Sequence, residues 1–148
     1  MNSAGALALI LAGVLTSLAA IAHLVCIAVG ASAFRLMGAG ERMACAVEAG
    51  HLQPILVTVG IAAVLATWAA YAFSAAGLIN PLPFGKFVLP AISAVFLARA
   101  IGFPLLVSAF PENSKTFWLV SSGICFAIGS LYAWGTAAAW ANLQSAAT

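Results

Sequence analysis

Six side chains in this sequence have the types and spacing to do chemistry together: His23, Cys26, Cys45, Glu48, His51 and Arg99. They stand out because the chain has so few polar groups. The stretch GERMACAVEAGHLQP, residues 40–54, holds two of the three acidic residues, one of the two histidines and one of the three cysteines. Cys45, Glu48 and His51 follow at intervals of three, which lays them in a slowly drifting stripe on one helix face. His23 and Cys26 share the same spacing on the segment before it. With a turn at MGAG, residues 37–40, an antiparallel hairpin sets His23 level with His51 and Cys26 level with Glu48. A shared polar site is then expected about two to three helical turns in from the loop.

Arg99 is the second anomaly. It sits in VFLARAIGF, in the middle of an apolar run. A charge at such a position costs about 2.5–3.5 kcal/mol on insertion scales, so it is expected to face the protein interior and to have a partner. Glu48 is the expected partner, because it is the carboxylate that the hairpin places inside the bundle.

Three chemistries suit these residues. His23, Glu48, His51 and Arg99 could bind a small molecule or ion, anionic or protonatable, and pass it or a proton through the protein; ionisable groups inside a membrane mark functional sites. Alternatively His23 and His51, at equal depth, could be axial haem ligands, or could bind one copper or zinc ion with Cys26, Cys45 or Glu48. Glu48-x-x-His51 has the spacing of di-iron bundles, but such a site needs a second copy of the motif and further carboxylates, which this sequence lacks. A small membrane enzyme is the third reading, with His and Glu as acid and base and Arg99 holding an oxyanion or phosphate. No nucleophile motif supports it, and Ser121 and Ser122 have no evident base. An accessory subunit with a purely structural polar cluster is also compatible with these residues.

The elements that must position these groups follow from composition. The chain has 148 residues, 65% hydrophobic and 5% charged, with a mean hydropathy of +1.16. Soluble domains carry roughly 25% charged residues. Eight formal charges cannot cover a water-facing surface, so lipid is the expected solvent. A net charge of +2 gives no basis for a nucleic-acid partner, and it is too scattered for a polybasic lipid patch. Three cysteines without a CxxC read as small buried hydrophobes.

A bilayer-spanning helix needs about 20 mostly apolar residues. Four segments qualify, at about 5–34, 43–73, 87–107 and 117–140, forming a single domain. Asn2 or Ser3 is the expected cap of the first. That run is far longer than a signal peptide's apolar region and has no Lys or Arg before it, so it reads as a permanent span. Pro54 and Pro104 are expected kinks. The breaks MGAG, GLINPLPFGK (77–86) and FPENSKT (110–116) have turn chemistry. Short connections make neighbouring helices antiparallel, so the expected fold is an all-α, up-down-up-down four-helix transmembrane bundle. Trp118 and Trp140, about 33 Å apart along one helix, suit the two rungs of an aromatic belt. Ala12, Thr16 and Ala20, and Gly123 with Ala127, have the small-xxx-small spacing that lets helices approach closely.

The expected location is a membrane crossed several times, a bacterial inner membrane. Arg35, Arg42 and Lys115 against Lys86 place loops 35–42 and 110–116 in the cytoplasm and both termini outside. Four spans make a thin pathway, so a transporting form is expected to be a homo-oligomer.

Overall fold

The computed structural model describes residues 2–102, 111 and 113–145, and these are helical with no strand. The helices are α1 (Ser3–Val29), α2 (Ala31–Leu36), α3 (Glu41–Glu48), α4 (Gln53–Ala75), α5 (Gly85–Ile101) and α6 (Lys115–Ser145). Three of them, α1, α4 and α6, are long and apolar enough to cross a membrane by length and composition. α5 has 17 residues, short of a full span. The rest of the third expected segment, 103–107 with Pro104, and positions 110 and 112 of the third loop lie outside the described residues.

Local signals explain where the helices start and stop. Asn2 caps α1 as its position suggested: its side-chain oxygen accepts the Gly5 N–H at 2.8 Å. The first expected segment does not run straight to residue 34. It stops at Gly30, whose φ of 88° and ψ of −156° lie in a region open essentially to glycine alone. The second expected segment breaks too. α3 ends at Glu48, Gly50 takes a φ of 74°, and α4 starts afresh with Pro54 in its first turn. A proline there sacrifices no helical hydrogen bond, so Pro54 starts a helix where a kink had been expected.

These two breaks set α2 and α3 apart as a short helical hairpin with its own small core. Phe34 is buried at its centre, against Cys26 and Ala44, with Met43 and Val47 packed around them. The opposite face of α3 carries Glu41, Arg42, Cys45 and Glu48, all exposed. Asn113 Nδ2 donates to the Gly38 carbonyl at 3.1 Å, and the Phe117 ring lies against Gly38, so the hairpin rests on the start of α6.

The long helices pack through small residues. α1 lies along both α4 and α6, and α5 lies along α6, while α4 and α5 touch little. The α5–α6 pair is antiparallel: Gly85 lies beside Leu143, Ser93 donates to the Gly129 carbonyl at 2.9 Å, and Arg99 reaches Ser121. Ala12, Thr16 and Ala20 are buried as their spacing suggested. Gly123 and Ala127, by contrast, face outward; the close approaches on α6 are at Gly129, against Leu97 and Phe96, and at Gly135, against Leu9. With no hydrophobic drive between helices in lipid, such backbone proximity supplies the packing contacts.

The centre of the core is Tyr132, fully buried. Its hydroxyl donates to the Trp68 carbonyl at 3.0 Å and lies 3.4 Å from Thr16 Oγ1. Its ring stacks on Phe96, and Phe96 meets Trp68 edge-on at 5.5 Å between centroids. One residue from each of α1, α4, α5 and α6 thus meets here. The outside is as apolar as the inside, with Leu7, Leu18, Ile61, Val64, Val95, Phe126 and Trp134 exposed. Apolar exposure on this scale suits contact with hydrocarbon.

Candidate functional site

The hairpin holds the first polar cluster. Arg35 grips Glu41 with two donors, Nε to Oε2 at 2.9 Å and Nη2 to Oε1 at 2.7 Å, and gives Nη1 to Glu48 Oε1 at 2.8 Å. The flat guanidinium fork matches this two-carboxylate arrangement, and it ties α2 to both ends of α3. The hydrogen bonds from Arg35 hold the Glu41 carboxyl below the usual carboxylate range. The same bonds keep Arg35 still more firmly protonated. Cys45 donates its thiol to Glu41 Oε1 at 3.4 Å, and that bond raises its pKa, so Cys45 is a protonated thiol and a poor nucleophile.

Because Glu41 titrates lower in the folded hairpin than unfolded, its contribution is complete at neutral pH and is lost as pH falls through its folded value. Amide exchange of residues 41–48, corrected for the intrinsic rate, is expected to be flat from pH 7 to pH 5. Protection is expected to fall only below about pH 4.3, the ordinary Glu value. Arg35→Ala should remove that pH dependence and lower protection at pH 7.

The expected His/Glu/Arg site is not assembled as one site. Glu48 pairs with Arg35, not with Arg99. His51 is exposed in the 49–52 linker. His23 points its Nδ1 at the Ala19 carbonyl, 2.7 Å away, one turn back on its own helix. Cys26 is buried in the hairpin core. No group of three His, Cys, Asp or Glu among the described residues is placed to hold a metal ion, so the set His23, Cys26, Glu48 and His51 does not converge. The physical reason is the pair of breaks at Gly30 and Gly50. Level-matching across a straight hairpin fails once the chain turns at both glycines.

Arg99 forms a separate site, in a cleft of about 500 Å³ where α5 and α6 face α4. Val57, Gly60, Ile61, Val64, Leu65 and Trp68 of α4 form one wall, and Val95, Phe96 and Cys125 face them. Among the described residues Arg99 is the one charged lining residue. Its Nη2 donates to Ser121 Oγ at 3.2 Å, and its guanidinium lies over the Trp118 ring, 5.1 Å from the centroid. Its Nη1 is buried and has no hydrogen-bond partner among the described residues. Arginine stays protonated in proteins, so this is a donor that cannot be neutralised by losing its proton. Leaving a buried donor unpaired costs about 1–3 kcal/mol, and more when it is charged.

Two further polar atoms nearby are in the same condition: Trp118 Nε1 and Ser122 Oγ are buried without partners among the described residues. Trp118, Ser122 and Cys125 follow at i, i+4 and i+7, one face of α6. Trp118 therefore turns inward beneath Arg99, and the expected aromatic belt keeps only Trp140 on the outside. The spacing of 118, 122 and 125 was available in the sequence; what pointed elsewhere was the position of Trp118 at a helix end, which suits a belt equally well.

No family model matches this chain, and no curated protein or solved structure matches it either.

Proposed function

We propose that this chain is an integral membrane protein that crosses the bilayer several times and binds the anionic group of a small molecule at Arg99. The observation that carries the reading is the buried, unpaired Arg99 Nη1 at the wall of an otherwise apolar cleft. Among the described residues that positive charge has no counter-charge, because Glu41 and Glu48 are both held by Arg35. A carboxylate or phosphate would supply the counter-charge and accept from Nη1. The indole Nε1 of Trp118 and the Ser122 hydroxyl are spare donors on the adjoining helix face. The membrane part rests on the apolar exteriors of α1, α4 and α6. α5 runs antiparallel along α6 from Gly85 to Arg99, and this pairing supports reading it as a fourth crossing whose remainder lies beyond Gly102.

The test is a titration of the purified protein in mild detergent, read by tryptophan fluorescence. Trp68 and Trp118 are two of the four tryptophans, and they line or flank the cleft. Octanoate and octyl phosphate are expected to give a saturable change, whereas octanol is not, and Arg99→Gln is expected to abolish the response. Identical responses to octanol and octanoate, or an unchanged response in the variant, would reject the reading. Flux of the bound anion into proteoliposomes then separates a carrier from a receptor.

A further inference from the structure

We infer that the Arg99 cleft takes a single-chain lipid anion, head against Arg99 and chain along α4, and that this ligand enters sideways from the bilayer. The inference rests on the anion-binding reading of Arg99 and adds the class of molecule and its route.

Shape comes first. The α4 wall runs from Val57 to Trp68, a rise of about 16 Å along the helix. The volume of about 500 Å³ lies within the range of small-molecule sites, about 300–1,000 Å³. A slot of this form, parallel to a helix axis, fits a chain better than a compact solute. Trp68 and Phe96, in edge-to-face contact, form an aromatic floor.

The second observation is where the slot opens. α4 and α5 touch little along their length, and the residues at the mouth, Val57, Ile61, Val64 and Val95, are each about half exposed and aliphatic. On a membrane helix such a mouth faces hydrocarbon. A water-soluble anion entering here would shed its hydration against a wall whose sole charge among the described residues is Arg99. An amphiphile arrives with its chain already in hydrocarbon.

Energetics then say which part selects. Moving an acyl chain from lipid into an apolar slot yields no hydrophobic gain, because the bilayer is equally apolar. Selection must come from the head, where a charged, hydrogen-bonded pair forms in a low-dielectric setting. A neutral lipid of the same chain length would fit the slot and leave Arg99 unpaired.

Gly60 provides the handle. A Cβ added there meets nothing within 4 Å, and its backbone is helical without positive φ, so Gly60→Phe projects its ring from an unobstructed position on the slot wall. Gly123 on α6 is equally open and outside the cleft. The experiment uses the whole protein in phosphatidylcholine vesicles with a fatty acid carrying a diazirine in mid-chain. After photolysis, labelled peptides are mapped by mass spectrometry.

Labelling is expected within 57–68 and 95–99. It should fall at least tenfold in Gly60→Phe and in Arg99→Gln, stay unchanged in Gly123→Phe, and be at least tenfold weaker with the matching alcohol. Labelling spread over all outward faces, insensitivity to Gly60→Phe, or equal labelling by acid and alcohol would overturn the inference. If octanoate still binds in an Arg99-dependent way while the slot is not labelled, the anion site stands and the lipid route falls. If no anion response depends on Arg99, both fall. The fluorescence-detected Tm of Gly60→Phe, matching the parent, shows that loss of labelling is not loss of fold.

Discussion

Arg99→Met is expected to abolish anion binding while leaving the unliganded protein about as stable as the parent. Two sets of terms decide this. Removing the guanidinium loses its hydrogen bond to Ser121, about 1.5–3 kcal/mol for a charged donor, and its contact with the Trp118 face, up to about 2 kcal/mol. Against that, a charge in a membrane helix costs about 2.5–3.5 kcal/mol, and the unpaired Nη1 adds to the cost. The terms nearly cancel, and methionine refills the apolar wall.

For a bound anion nothing cancels. Truncating one partner of a buried, hydrogen-bonded charge pair costs about 2–5 kcal/mol, or at least about thirtyfold in affinity. Paired measurements of Tm and of the octanoate Kd check both halves. A large fall in Tm would mean that Arg99 is one half of a structural ion pair, because breaking such a pair costs about 3–5 kcal/mol. Glu48, the partner the sequence suggests for such a pair, is bound to Arg35 instead.

The largest loss of stability is expected at Tyr132. It is fully buried, stacks on Phe96, donates to the Trp68 carbonyl and approaches Thr16, so it joins four helices. Aromatic-to-Ala changes in cores cost about 3–5 kcal/mol. In lipid the hydrophobic part of that figure is absent, and lost dispersion contacts and the cavity remain, so the lower end applies. Tyr132→Ala is therefore expected to cost about 3 kcal/mol, and Tyr132→Phe, which keeps the ring, about 1 kcal/mol. Thermal or denaturant unfolding in detergent, followed by tryptophan fluorescence, gives both. Equal losses in the two variants would mean that the hydroxyl and not the ring holds the helices together. The Ala variant also deepens the floor of the Arg99 cleft, since Phe96 and Trp68 lose their backing.

How much of this was legible beforehand depends on the residue. The cap at Asn2, the buried Ala12–Thr16–Ala20 stripe and the anomaly of Arg99 could be read from residue type and spacing. So could the gathering of acidic groups near residue 45. The breaks at Gly30 and Gly50 could not, because a glycine within an apolar run is compatible with a continuous helix. Only its φ shows that the chain has turned. Once it turns, counting levels across the hairpin pairs the wrong residues, as with His23 and His51.

Sequence by itself determined that this chain is helical and suited to lipid. With 5% charged residues and several long apolar runs its surface suits lipid, where a helix satisfies every backbone polar group within its own segment. Tertiary structure alone decided which way each helix faces. These long helices are apolar on every side, so a period of 3.6 has nothing to mark, and core and lipid-facing residues are of the same types. That α1 sits between α4 and α6, that Trp118 turns in beneath Arg99, and that α4 stands off from α5 to leave a cleft are outcomes of close packing at Gly129 and Gly135 and of the Tyr132 contacts. Such choices rest on backbone proximity, which residue type permits at many places and only the folded chain selects.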